Sequence, residues 1–404
     1  MLPFKKGDKD INKLSLCANP ELSTSDMFKK QFISFLFIFL TIRLLGQGST
    51  TSEQKISLLF MGDIMGHDSQ IWAAEDLKTN TYDYNEVFSY IKPLISDADL
   101  AIANLEVTLA GPPYKGYPQF SSPAALAVAC KNAGIDCLVT ANNHSVDRGK
   151  SGISGTLFRL DSIGMPHTGT FTDQASKDKL QPLILTRNGI SVAILNYTYG
   201  TNGISVPAPL IVNMLDKNLI SADIEKAEAL NPDLIVLLLH WGTEYDTMPS
   251  PGQKIMAESF LSKGADLVIG SHPHVLQKMV WYNDGSPLRN KAVVYSLGNF
   301  LSNQRKPKTD GGSMVRIELV KEEGRMKIAS AGYYLTWVYT PMLKYQKKFY
   351  ILPCSEFENR ASFFAKEQEY KQMKTFINNS RSLLYNQNIN FREYLYKGNS
   401  WNLD

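Results

Sequence analysis

The sequence predicts an α/β domain built on a largely buried sheet. Apolar runs of strand length recur along the chain, and the segments between them carry apolar residues at helical spacing. The composition agrees: of 404 residues, 44% are hydrophobic and 20% charged, as expected for a globular protein. The net charge is only +3 and no long run of like charge appears, which argues against a nucleic-acid partner.

Ahead of the first strand, "MFKKQFISFLFIFLTIRLLGQGSTTSEQ" begins at Met27. Its basic start (Lys29, Lys30), apolar run over 32–45 and small, polar continuation follow the order of a secretory signal. The run is short for a spanning helix and Arg43 interrupts it. Residues 27–48 therefore read as a signal peptide or a short membrane anchor, and residues 1–26 as an upstream read-through or a tail. The expected mature chain begins near residue 48. It is expected to be exported to the periplasm or cell envelope, or held there by 32–45.

The strand-length runs are "KISLLFMG" (55–62), "DLAIANLE" (99–106), "DCLVTANN" (136–143), "ISVAILNYT" (190–198), "DLIVLLLHWG" (233–242), "ADLVIGSH" (265–272) and "AVVYSLGNF" (292–300). Helical spacing appears between them in "YNEVFSYIKPLISDA" and "ADIEKAEALNP". "AGPPYKGYPQFSSP" is a Pro/Gly-rich loop long enough to shape a site. The main domain is expected over 53–311. In 312–404, "MVRIELVKEEGRMKIASAGYYLTWVYTP" reads as strand, turn, strand and "KKFYILP" as a further strand. These strands complete the sheet, and a polar helical tail follows from Ser362 to about Tyr396. Cys17, Cys130, Cys137 and Cys354 form no CxxC pattern, so the thiols read as free, with Cys130 and Cys137 buried at a helix end and in a strand.

Polar residues of metal-ligand type collect at the ends of these runs. They are Asp63 in "MGDIMGHD", Asn104 and Glu106 in "ANLE", Asn142, Asn143, His144 and Asp147 in "ANNHSVD", His240 in "HWGTEY", and His272 and His274 in "GSHPH". In an open α/β sheet the carboxyl ends of the strands share one edge, where ligands bind. Five of the six histidines lie in these segments; His167 does not. A lone strand-end histidine is usually a satisfied core residue, but an H-x-H pair beside four other polar loops points to a metal centre. Some alternatives stay open. Asp63 suits a helix N-cap, Glu106 could pair with Lys115, and Asn104 and Asn142 suit hydrogen bonds that brace loops. Carboxylate, imidazole and amide groups without thiolate suit one or two divalent ions of Mn, Fe or Zn. Two such ions about 3.5–4 Å apart would share a carboxylate and a nucleophilic hydroxide. His144 is placed to protonate a leaving group, with Asp147 orienting its ring.

The motifs "GDIM", "NLE", "NNHSVDRG", "HWG", "GSHPH" and "YSLGNF", in this order over about 56–303, resemble the poly-γ-glutamate capsule (CapA-type) family, itself similar to calcineurin-like metallophosphoesterases. The resemblance implies a four-layer αββα sandwich, with helices outside two packed mixed sheets. It implies Asp63, Glu106, Asn143, His240, His272 and His274 as metal ligands, with Glu106 bridging and His144 catalytic. His67, Asn104, Asn142 and Asn299 are candidates for supporting positions behind the ligands. The wider superfamily's first motif is D-x-H, and here Met65 stands in place of that histidine. Three ligands (Asp63, Glu106, His274) then face four (Glu106, Asn143, His240, His272), with His67 a possible replacement. The implied function is an exported metal-dependent hydrolase or transferase. It would act on an amide or phosphoester bond of an envelope polymer such as poly-γ-glutamate. The alternative is a non-catalytic accessory subunit of a membrane complex for capsule polymer synthesis and export.

Overall fold

Strand β1 (Lys55–Ile64) sets the plan of the molecule. Every residue after Lys55 is buried, and alternate side chains enter opposite apolar layers because the side-chain period of a strand is two. Ile56, Leu58 and Phe60 enter one layer, Leu59 and Met61 the other. β1 runs parallel to β2 (Leu100–Leu105) and antiparallel to β12 (Gly311–Glu322). β3 (Cys137–Val139) and β4 (His167–Thr168) extend one side of this sheet. β13 (Arg325–Tyr339), β15 (Arg392–Lys397) and β16 (Ser400–Leu403) extend the other. With β11 (Asn299–Leu301) on β1 and β14 (Tyr350–Pro353) on β13, the sheet has ten strands. A six-stranded sheet has the order β9 (Met279–Tyr282), β10 (Lys291–Val294), β8 (Leu267–Ser271), β7 (Leu234–His240), β6 (Ile190–Thr198), β5 (Leu183–Arg187).

The two sheets pack face to face. Ile56, Leu58, Phe60 and Ile102 of the first share a core with Val192, Ile194, Val236, Leu238 and Ile269 of the second. The outer face of the first sheet is covered by α2 (Lys92–Ser96) and α3 (Ala125–Ala133) through Leu94, Ile95, Leu126 and Cys130. The outer face of the second is covered by α5 (Lys217–Ala229) and α6 (Pro251–Ser262) through Ile220, Ile224, Phe260 and Leu261. The architecture is a four-layer αββα sandwich. Burial on both faces explains why the central strands read as continuous apolar runs rather than alternating ones.

This computed structural model describes residues 54–404 apart from residue 284; the expected tail (1–26), the signal or anchor segment (27–48) and Cys17 lie outside the described residues. Glu53–Asp404 form one compact unit, and the strands beyond residue 311 belong to the same sheet as β1. Cys130, Cys137 and Cys354 are buried free thiols. Among the described residues no helix is long and apolar enough to cross a membrane.

Three expectations change. The polar strand ends do not share one sheet edge: β1, β2 and β3 belong to one sheet, β7 and β8 to the other. The run 292–300 is not one strand. β10 pairs with β8 in the second sheet, the chain turns at Gly298 (φ +70), and β11 pairs with β1 in the first. Uniform apolarity hides such a break, because both halves are buried. The tail is helical only in α7 (Glu367–Gln387); it ends as the hairpin β15–β16, held to the first sheet by β13.

The crossing between sheets fixes where β1 ends. The Asp63 N–H donates to the Gly298 carbonyl at 3.1 Å, and Asp63 is in register with Asn299. A Cβ on Gly62 would overlap that same carbonyl oxygen. Gly62→Ala should therefore destabilise the protein by about 1–3 kcal/mol, as overpacking of a tight interior does. Denaturant unfolding checks this, and an unchanged midpoint would show that the two strands do not need so close an approach.

Candidate metal centre

The site forms where the carboxyl ends of β1, β2, β3, β7 and β8 converge. Asp63 lies near the end of β1, and Glu106 follows β2 directly. Asn142, Asn143 and His144 follow β3, His240 closes β7, and His272 and His274 follow β8. All are buried. Two groups of ligand atoms emerge, each with all atoms within 4.8 Å of one another: Asp63, Glu106 and His274, and Glu106, His240 and His272. Glu106 is common to both. Asn143 joins the second group, its Oδ1 lying 2.7 Å from His240 Nε2.

The remaining polar groups hold these atoms in place. Asn104 Nδ2 donates to Asp63 Oδ1 at 2.8 Å, and Asn142 Nδ2 donates to the Leu105 carbonyl at 2.8 Å. Both are braces, and neither is in the two groups. Asn299 Oδ1 lies 3.1 Å from His274 Nδ1. His272 and His274 have φ of +100 and +58, a region non-glycine residues rarely adopt and one that costs about 1–3 kcal/mol per residue. The carbonyl of Pro273 between them accepts the Tyr245 N–H at 2.8 Å, so the loop after β7 clamps this strained turn. The turn lets one short segment feed both groups.

The electrostatics are those of a cation site. Glu106 is 0% exposed and neither carboxylate oxygen has a hydrogen-bond partner; His272 Nδ1 also has none. Lys115, a possible partner for Glu106, is exposed instead. Burial, then the charge of Asp63, raise the Glu106 carboxyl well above its ordinary range. Burial works to raise Asp63 too, but the hydrogen bond and charge of His274 outweigh it and hold Asp63 at about 2. Burial lowers His240 to about 3 and, with the charges of His240 and His274, His272 to about 2. Both imidazoles therefore stay neutral with lone pairs available. Burial works to lower His274, but Glu106 and Asp63 lift it to about 9. Without a cation the centre balances itself with protons, and divalent ions would replace them. The donor set of carboxylate, imidazole and amide oxygen fits such ions.

Beside this centre, His144 Nδ1–H donates to Asp147 Oδ2 at 2.8 Å, and the same oxygen accepts the Phe120 N–H at 2.7 Å. Phe120 belongs to the Pro/Gly-rich loop and packs edge-on against His144 at 4.7 Å. That loop thus sets the imidazole's position. His67 is in neither metal group. It stands at the N-cap of α1 (Asp68–Ala74), the place considered for Asp63, with Nδ1 3.0 Å from Gln70 Oε1. Burial lowers it to about 4. Met65 is buried, its sulfur taking the Ser302 hydroxyl at 3.7 Å. His167 lies on β4, with Nδ1 2.9 Å from the Met165 carbonyl.

The sequence reading missed the wall of the site. Tyr199, just after β6, lies 4.5 Å from the His272 ring, and Asn202 Oδ1 accepts from Asn143 Nδ2 at 3.2 Å. Tyr245 lies 6.3 Å from the His274 ring, and Lys306 Nζ sits 4.1 Å from the centre of the Tyr245 ring. The signal for the first pair was "YGTN" directly after a strand-length run, in a segment without histidine or acid.

Residues 57–304 match the family model described as bacterial capsule synthesis protein PGA_cap. The chain is 30% identical over 282 residues to capsule biosynthesis protein CapA of Bacillus anthracis, covering 66% of this chain and 64% of that protein. It therefore spans just under two thirds of that relative's length. It is 28% identical over 293 residues to PGA biosynthesis protein CapA of Bacillus subtilis (strain 168), covering 69% and 72%. Among solved structures it is similar to the NAD nucleotidase of Haemophilus influenzae (TM-score 0.44, 14% identity, 85% of this chain and 64% of that one). It is also similar to the calcineurin-like phosphoesterase YfkN of Bacillus subtilis (TM-score 0.42, 14% identity, 82% and 99%).

The protonation pattern predicts how metal binds. A proton on His274 competes with an ion in the Asp63 group until pH passes about 9. Calorimetric titration of Mn²⁺ into metal-free protein should show proton release near neutral pH and affinity rising toward pH 9. His274→Ala should weaken the step that belongs to the Asp63 group and spare the group built on Glu106, Asn143, His240 and His272. Binding that releases no protons, or a variant with both steps intact, would contradict the assignment.

Proposed function

The chain belongs to the PGA_cap family of bacterial capsule synthesis proteins, and we propose that it is an exported, metal-dependent hydrolase or transferase of an envelope polymer. The polymer is one such as poly-γ-glutamate, and the bond an amide or phosphoester. The observation that carries this reading is the fully buried Glu106, shared by two groups of ligand atoms and without a hydrogen-bond partner of its own. Such a carboxylate is costly to bury unless cations meet it. The apolar run over 32–45 after two lysines supports export.

In this reading Asp63, Glu106 and His274 would hold one ion of Mn, Fe or Zn, and Glu106, Asn143, His240 and His272 the other. When bound, such ions would supply Lewis-acid chemistry at the bond to be cleaved. The chain's own residues do the rest. Asp147 accepts from the Nδ1–H of His144 and offsets the charge of the doubly protonated ring, whose Nε2–H passes its proton to the leaving group. Asn104 and Asn299 fix the carboxylate of Asp63 and the ring of His274. Tyr199, packed against the His272 ring, walls one side of the centre.

One observation favours a second reading. Met65 turns its sulfur to Ser302, so the Asp63 group has three side chains and a weaker hold on its ion. A weakly metallated centre suits an accessory subunit of a polymer synthesis and export complex.

His144→Asn separates the two. It should retain metal while turnover falls by roughly 10²–10⁴, the usual contribution of a positioned proton donor. Turnover is measured with γ-glutamyl polymers, peptidoglycan fragments and simple phosphodiesters. Turnover equal to wild type in the variant would remove His144 from the reaction, and a wild type inactive on all of these substrates would favour the accessory role.

A further inference from the structure

An exposed apolar surface lies apart from the metal ligands. The hairpin of Met342–Leu343 and Gln346–Lys347 turns through Lys344 and Tyr345. Tyr345 is 102% exposed, Met342 53% and Leu343 40%. The hairpin rests on α1, where Gln346 Nε2 donates to the Trp72 carbonyl at 3.1 Å. Trp72 itself is 65% exposed, because α1 buries Gln70, Ile71 and Ala74 on its other face. Leu77, in the turn that follows α1, is 85% exposed. Single exposed apolar residues need no explanation, but aromatic and aliphatic side chains gathered on two adjoining elements mark an interaction surface.

The charges around these side chains say what the surface fits. The segment from Met342 to Phe349 carries Lys344, Lys347 and Lys348 and no acid. Lys347 is turned inward, donating to Asn303 Oδ1 at 2.6 Å, whereas Lys344 at the tip is exposed. Among the described residues no ion pair is formed by Lys344 or by Lys78 beside Leu77. Glu75 and Asp76, the carboxylates closest in sequence to Lys78, keep their charge while accepting from the Tyr82 hydroxyl at 3.2 Å and the Lys78 N–H at 2.9 Å, so the positive charge of the surface comes from the hairpin. Tryptophan and tyrosine beside leucine and methionine, interleaved with lysine, is the composition favoured at a lipid headgroup boundary. There the rings sit among the headgroups and the ammonium groups reach anionic phosphates. We infer that the hairpin tip and α1 form a seat for an anionic phospholipid surface.

The surface also bears on the metal centre. Lys347 ties the hairpin to Asn303, whose backbone nitrogen lies 3.3 Å from His67 Nδ1. His67 shares the Phe120 ring with His144. A run of contacts thus joins the hairpin to the surroundings of the metal centre.

The test uses the compact unit from Glu53 to Asp404, which carries its own cores and lacks the 32–45 run. Its co-sedimentation is measured with vesicles of phosphatidylcholine containing phosphatidylglycerol, and with phosphatidylcholine alone. The expected result is binding to the anionic vesicles that weakens as salt is raised, and about tenfold weaker binding by Leu343→Ser/Tyr345→Ser. Both substituted positions are exposed, so the variant should melt like wild type. Wild type that stays in the supernatant, or a variant that sediments equally, would overturn the inference. So would a wild-type dimer that the double substitution dissociates, because a second copy would then cover the surface. None of these outcomes depends on metal binding or turnover.

Discussion

A carboxylate that cannot find a hydrogen bond organises the centre of this protein. Glu106 sits at 0% exposure between two sheets, with neither oxygen bonded. Burying an ionised carboxylate without partners costs several kcal/mol, so the group must be protonated or met by positive charge. Its surroundings answer in both ways. Burial and the Asp63 charge push the Glu106 carboxyl upward, and Glu106 and Asp63 in turn hold a proton on His274. His240 and His272 stay neutral beside them. A stable core would not choose this arrangement, whereas divalent cations turn each of its costs into a bond.

The fold exists around that constraint as two sheets whose strand ends meet. Neither sheet alone supplies both groups of ligand atoms: the carboxylates come from β1 and β2, the imidazoles from β7 and β8. The passage from β10 to β11 welds the sheets together at this point. It brings Gly298 against Asp63 and Asn299 against His274. The strained turn at His272 and His274 is tolerable because the Asp63 carboxylate lies near the His272 N–H at 3.3 Å and the Tyr245 N–H bonds to Pro273. Stability of the inter-sheet core and placement of the ligands are thus one problem solved by the same residues.

Much of this was legible in the sequence because the elements involved are strongly apolar and end abruptly in polar residues. β1, β6, β7 and β8 could be read from their runs, and Asp63, Glu106, His240, His272 and His274 from their positions at the ends. The partition of strands between sheets was not legible, since strands buried on both faces look alike wherever they pair. The same blindness fused β10 and β11 into one strand. The wall residues escaped for a different reason. Tyr199 and Asn202 are ordinary loop residues by composition, and only tertiary packing sets them against His272 and Asn143. Local spacing also left His67 open between a replacement ligand and a supporting position. The structure places it at the cap of α1, with Gln70 taking up its ring nitrogen.

The central claim is that one buried carboxylate serves two ions. The metal content of wild type and Glu106→Gln, after loading with Mn²⁺ and desalting, tests it most directly. The substitution keeps the size of the side chain and removes the charge that both groups share. The account predicts up to two ions bound by wild type and both weakened together in Glu106→Gln, with the fold retained. Undiminished metal in the variant, or the loss of one ion with the other held as tightly as before, would contradict it.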